Sequence, residues 1–280
     1  SHKGDSNSYL SLFLWRTHSI HHLPTSLNWF KTNWIHPINM FLNTLLKMTP
    51  ILLLGFNNEI IFFDKIVSNM DVFFTYKKLL PKEKHPHKIL KQQKSSSALI
   101  FYWGINKNFP KLNLHNILFS DNYEKEFDTI FNKKSIGADP TIYINISSKL
   151  TPEHAPKGCE NWFVMINVPG NYTQDWTALI NEARQNIIKK LNRILKVDLN
   201  KLIVEEDLLT PQLIEHKTSS FRGSLYGTAS NTRMAAFFRH SNFSNTYKNL
   251  YFCGGSVHPG GGIPLALSSA KIIDKYIQHV

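Results

Sequence analysis

The sequence predicts an α/β (α+β) fold, and three observations lead there. Short aromatic and β-branched runs recur along the 280 residues, and such runs fit buried strands. One long segment beginning at Trp176 repeats its apolar residues at helical spacing. The stretch YFCGGSVHPGGGIPLALSSAK, residues 251–271, reads as strand, glycine loop and helix in succession. A hydrophobic content of 42% is that of a folded chain with a sizeable core, in one large or two modest domains.

Residues 1–52 are rich in Leu, Phe, Trp, Asn and His without a persistent period. HSIHHLP sets His18, His21 and His22 at i, i+3, i+4, but no acidic residue stands near and Pro24 ends the helix, so no metal site is expected. From residue 54, LGFNNEIIFFDKIVSNMD reads as a hairpin, with Asn57-Asn58 as the turn and strand material at 60–63 and 65–67. Residues 77–94, KKLLPKEKHPHKILKQQK, hold seven lysines and one glutamate, and Pro81 and Pro86 make them a loop or a broken helix. The segment suits a solvated surface, or electrostatic docking on an anionic membrane.

SSSALIFYWGI (95–105), the strand at 140–146 in DPTIYINISSKL, and that at 162–168 in NWFVMINVP follow, with loop-like pieces between them. The helix over 176–195 has Asp175 as N-cap and a stripe of Ile180, Ala183, Ile187, Ile188, Leu191, Ile194 and Leu195 for the core. A strand at 202–204 precedes LTPQLIE, where Thr210 caps a short helix and Pro211 opens it. Glu205, Glu206 and Asp207 read as exposed charges rather than a catalytic pair.

The last strand is expected at 249–253, ahead of a loop with five of the chain's 13 glycines in nine positions. Pro264 then suits the first turn of a helix. A helix N-terminus facing a glycine-lined gap offers unpaired N–H groups and roughly half a positive charge. Phosphate is one guest for such a place, and an electron-rich ring oxygen such as the pyrimidine edge of a flavin is another. A third reading is a tight loop whose glycines only let helix and strand pack closely. No Gly-Lys-Ser/Thr ending follows, which argues against a nucleoside-triphosphate loop.

The formal net charge of +12 favours anionic partners, but no nucleic-acid motif accompanies it and nucleic acid is not an expected partner. Cys159 and Cys253 make no disulfide framework, and Cys253 is expected as a small buried hydrophobe, consistent with a reducing, cytoplasmic setting. The most apolar run, MFLNTLLKMTPILLLGF (40–56), is broken by Asn43, Lys47 and Pro50, so peripheral membrane contact is compatible with the sequence and spanning is not. SHKGDSNSYL does not read as a signal peptide.

GGSVHPGGGIPLALSSAK resembles the C-terminal flavin-contacting signature of bacterial phytoene-desaturase-type carotenoid dehydrogenases, within the FAD-dependent amine-oxidase-like superfamily. FDKIVSNMD (63–71), SSSALIFYWGI, DPTIYINISSKLTPEHAPKGCENWFVMINVP and FRGSLYGTASNTRMAAFFRHSN follow the same family in order and spacing. The last two are similar to the branch that desaturates hydroxylated acyclic carotenoids at the 3,4 position. The resemblance covers about residues 55–280 and leaves 1–52 unmatched, as foreign, misread or diverged sequence.

That resemblance implies an FAD enzyme that removes two hydrogens from a long apolar polyene and leaves a new conjugated double bond. It implies strands returning from the flavin domain at 53–71, a substrate-binding domain at 72–220, and the C-terminal part of the FAD-binding domain at 221–280. It places Gly254, Gly255, Ser256, His258, Pro259, Gly261, Gly262 and Ile263 around the flavin ring, and Tyr226, Arg233 and Arg239 near the substrate channel. The N-terminal GxGxxG unit that grips the FAD pyrophosphate in that family is absent from this sequence. The chain therefore reads as a C-terminal portion lacking the ADP-gripping half. Carotenoid isomerisation on the same fold, or a non-catalytic portion that does not bind FAD alone, are the competing readings.

Overall fold

The computed structural model describes residues 63–82, 85–231 and 237–277. The hairpin turn at Asn57-Asn58, the histidines His18, His21 and His22, all of 1–52, and Arg233 lie outside the described residues. The stretch 147–157 belongs to a separate unit from 63–146 and 158 onward, and by itself it forms two single 3₁₀ turns, Ser147–Lys149 and Pro152–His154.

The fold is α+β. Strands β1 (Ile66–Ser68), β2 (Ser97–Ile105), β3 (His115–Leu118), β4 (Ile142–Asn145), β5 (Glu160–Val168), β6 (Ile203–Leu209) and β7 (Leu250–Phe252) make two sheets. The larger has the order β3-β4-β5-β2-β6 and is antiparallel throughout. Its two central strands, β2 and β5, pair over their full length, from Ser97 opposite Val168 to Ile105 opposite Glu160.

The side-chain alternation of β2 explains why this strand is central. Leu99, Phe101, Trp103 and Ile105 point to one face, where they meet Trp162, Val164 and Ile166 of β5 in the main core. Helix α4 (Trp176–Leu195) covers that face with Trp176, Ala183, Ile187, Ile188 and Leu191. Asp175 caps it as the sequence indicates, with Oδ1 accepting from the amides of Thr177 and Ala178. Ala98 and Ile100 point to the other face and pack on Ile214 of α5 (Pro211–Thr218), with the half-buried Tyr102, Phe163 and Met165 around them. Thr210 caps α5 through Oγ1, which accepts from the Leu213 amide.

The linking segments carry more order than loop-like sequence suggests. Tyr123–Phe131 is helix α3, capped by Asn122, and His115–Leu118 is an edge strand. Buried Glu126 holds α3 to β4 by accepting from Ser120 Oγ, the Thr141 amide and Thr141 Oγ1. The acidic run 205–207 sits within β6, and Glu206 receives a bidentate hydrogen bond from Arg184. Cys253 follows β7 half-buried instead of within the strand, and burial pushes its thiol pKa up.

The smaller sheet pairs β1 with β7 in parallel, Val67 opposite Tyr251. After β1 comes a short helix α1 (Val72–Phe74) that continues as a π-helical turn over Thr75–Leu79, and then α2 (His87–Leu90). Val72, Leu90, Phe252 and Val257 form a second, small core between these pieces. Helix α6 (Ile263–Ile277) closes the described chain, and Lys65 caps its C-terminus by donating to the Tyr276 and Ile277 carbonyls at 2.8 and 3.1 Å.

Candidate functional site

The glycine loop runs from the end of β7 to the start of α6, and a buried polar hub sets its course. Asn242 is 3% exposed, and its Nδ2 donates to the carbonyls of Phe252 and His258 at 3.1 and 2.8 Å. Ser269, fully buried on α6, lies 3.2 Å from the same nitrogen and accepts from the Gly254 amide at 2.9 Å. One asparagine thus ties strand, loop and helix together. Neither Asn242 nor Ser269 stands out in the sequence, because a single Asn or Ser carries no pattern.

Arg239 holds the other side. It is 7% exposed and donates to the carbonyls of Tyr226, Gly255 and Thr228 and to Ser230 Oγ, all neutral acceptors. Burial lowers its pKa. The guanidinium is a brace between residues 226–230 and the loop, with no carboxylate partner among the described residues. His240 sits beside it, 5% exposed. Its Nδ1 lies 2.6 Å from the Ser241 carbonyl, so that nitrogen carries the proton, and Nε2 accepts from the Tyr76 hydroxyl at 3.0 Å. Burial depresses the imidazole pKa and raises that of Tyr76.

Within the loop the named residues divide. Ser256 is buried, and its Oγ accepts from the Val72 amide at 3.0 Å. His258 is exposed, with its amide donating to the His240 carbonyl, and it joins Pro259 through a cis peptide bond. A Cβ on Gly261 would come within 2.6 Å of Tyr226 Cα, so this glycine exists to let the 226 backbone pass. Gly262 is different: at φ +88° it adopts the left-handed region, yet nothing lies within 4 Å of where a Cβ would be. Its carbonyl accepts from the Ala266 amide at 2.9 Å and starts α6, and Ile263 beside it is 79% exposed. The edge formed by Gly262, Ile263 and the first turn of α6 is therefore the open part of the cradle, where helix N–H groups have no intrahelical acceptor.

Asp71 precedes Val72, whose amide bonds Ser256 of the loop, and it interacts electrostatically with Lys94. Asp71 is 9% exposed and accepts from the amides of Phe73 and Phe221. Burial raises its pKa against those bonds and against Lys94, while burial lowers that of Lys94, so both shift toward their neutral forms. Tyr226, at 48% exposure, covers Gly261. The structure thus gathers Tyr226, Arg239 and the loop residues into one neighbourhood.

The fold is α+β with a glycine loop ahead of a helix, and comparison with known proteins gives the family. No family model matches the chain. A 1-hydroxycarotenoid 3,4-desaturase from Flavobacterium sp. (strain P99-3) is 63% identical over 209 residues, covering 75% of this chain and 43% of that protein. A phytoene desaturase from Fusarium fujikuroi is 33% identical over 235 residues, covering 76% and 41%. A 4,4'-diaponeurosporene oxygenase from Staphylococcus aureus (strain MSSA476) is 36% identical over 218 residues, covering 76% and 44%. The chain belongs to the carotenoid-desaturase family and spans less than half the length of these curated relatives.

Proposed function

We propose that the chain supplies the ring-side cradle and substrate domain of an FAD-dependent desaturase acting on an acyclic hydroxycarotenoid. The observation that carries this reading is the 63% identity to the Flavobacterium 1-hydroxycarotenoid 3,4-desaturase. The cradle fits such a cofactor: Gly262 leaves open space, and the α6 N-terminus beside it is suited to the electron-rich edge of a flavin. Gly254, Gly255, Ser256, His258, Pro259 and Gly261 would shape that cradle, with Ile263 at its rim. FAD, when bound, supplies the two-electron acceptor that desaturation requires.

The chain's own residues would do the rest. Arg239, a buried cation without a carboxylate partner among the described residues, places positive charge behind the loop. The half-buried face of the large sheet, with Tyr102, Tyr143, Phe163 and Met165, offers apolar surface suited to a polyene. Tyr226 would stand between the loop and that substrate; Arg233 belongs to the same proposed channel from the sequence resemblance alone. The basic residues of 77–94 would meet the anionic membrane in which such a substrate dissolves. No described helix is long and apolar enough to cross one.

The ADP-gripping unit would come from the remainder of a longer protein or from a separate polypeptide. Ile263, Leu267 and Leu265 of α6 are 79, 66 and 43% exposed, and Ile66 and Val67 of β1 are 53 and 42% exposed. Such apolar exposure suits a surface that another half covers. The test is to co-express the chain with the N-terminal part of the Flavobacterium relative. The expected complex co-purifies with FAD and gives a hydroxycarotenoid product with one more conjugated double bond. A complex that forms without FAD removes the desaturase reading, and a product of unchanged hydrogen count replaces it with isomerisation.

A further inference from the structure

Beside α1 and α2 lies a cavity of about 340 Å³ whose walls include Lys77, Lys91, Arg222, Phe73, Phe221 and Gln92. Its charge is one-sided. Three permanent cations and the imidazoles of His85 and His87 line it, and no described Asp or Glu does.

Arg222 is the most constrained of these groups. Its backbone adopts φ +59°, fixed by its amide donating to Glu215 Oε1 at 2.9 Å and its carbonyl accepting from the Asn171 amide at 2.8 Å. Glu215 Oε2 is taken by Asn171 Nδ2 at 2.7 Å. The guanidinium lies 4.0 Å from the Tyr172 ring centroid and 5.0 Å from that of Phe221, and no hydrogen bond or ion pair engages its N–H groups among the described residues. A planar fork with five free donors is held against two rings and left without an anion.

A second group on the wall lacks a partner. Gln92 Nε2 donates to the Phe238 carbonyl at 2.9 Å, while Gln92 Oε1 is buried with no hydrogen-bond donor. A buried orphan acceptor has lost its water without gaining a donor, a cost that a ligand donor would relieve. Phe73 and Phe221, stacked at 3.5 Å between ring centroids, add an apolar wall.

We propose that this cavity is a phosphate-binding site, for a ligand whose phosphate stands beside a hydroxyl or protonated oxygen. The three cations take the anionic oxygens, Arg222 through paired N–H donors, and Gln92 Oε1 accepts from the neighbouring O–H. A soluble diphosphate and the glycerol-phosphate headgroup of a membrane lipid share that chemistry. The site rests on no flavin and deepens the membrane-docking reading of 77–94.

The experiment measures the full chain by calorimetry against pyrophosphate, and by flotation with vesicles of phosphatidylcholine with and without phosphatidylglycerol. Lys77→Gln/Lys91→Gln changes two exposed side chains of the wall. Arg222→Asn keeps a residue type that tolerates positive φ. Lys111→Gln/Lys189→Gln removes the same charge elsewhere. The expected result is saturable pyrophosphate binding, weakened at least about tenfold by either cavity variant and unchanged by the control. Glycerol-phosphate vesicles that float the chain, in competition with pyrophosphate, assign the lipid source. Pyrophosphate binding without flotation keeps the site, assigns a soluble source and removes the membrane reading. Flotation that the cavity variants leave intact keeps the membrane reading and overturns the site. Absence of binding in both assays overturns it as well.

Discussion

At the residue scale, the glycine loop owes its shape to side chains outside it. Removing Asn242 takes the side-chain donor from the buried Phe252 carbonyl and from the part-buried His258 carbonyl. Asn242→Ala should therefore cost about 2–3 kcal/mol in urea unfolding, while Asn→Ala at exposed Asn181 should change stability by under about 0.5 kcal/mol. The two central glycines should behave differently. Gly261→Ala forces a methyl onto Tyr226 Cα and should lower stability by more than about 2 kcal/mol, whereas Gly262→Ala meets only backbone strain of about 1–2 kcal/mol. His240 gives a pH dependence with a definite sign. Burial lowers its folded pKa below the ordinary 6.5, so the unfolded chain takes up its proton first and stability falls as pH drops through that value. A thermal melt of His240→Gln should lose part of the decline the parent shows on acidification below pH 6.5.

At the element scale, the parts legible in the sequence are those whose signal is local. Helix α4 announces itself through Asp175 and its stripe, and α5 through Thr210 and Pro211, because caps and periodicity act over a few residues. Asp175→Ala should cost about 1 kcal/mol, measured by chemical denaturation, and Leu191→Ala about 2–5 kcal/mol for the cavity it leaves in the main core. Helix α3 is less visible: YEKEFDTIF mixes charge and aromatics, and it is held by Glu126 receiving three hydrogen bonds from Ser120 and Thr141. The glycine loop was legible as a loop before a helix. Its internal division, with Gly261 packed and Gly262 open, was not, since it depends on where Tyr226, distant in sequence, comes to lie. The same limit hid Asn242 and Ser269, and it hid the bracing bonds of Arg239, a residue that the sequence resemblance places near the substrate channel.

At the scale of the whole molecule, the large antiparallel sheet and the smaller parallel pair differ in how their contacts are distributed along the chain. β2, β5 and α4 lie within one continuous region, whereas the glycine-loop neighbourhood joins segments from both ends of the described chain. Val72 and Ser256, bonded at 3.0 Å, are 184 residues apart in sequence. Contacts of such separation form late, because loop-closure entropy must be overcome before they contribute. The sheet with α4 should then act as the nucleus, and the cradle should assemble last on a surface already in place. Native-state hydrogen exchange should find the amides of β7 and α6 opening at lower free energy than those of β2 and β5. Denaturant should accordingly loosen the cradle first, so that the part of the molecule with the greatest chemical interest is also the part most readily reset by a ligand or a partner chain.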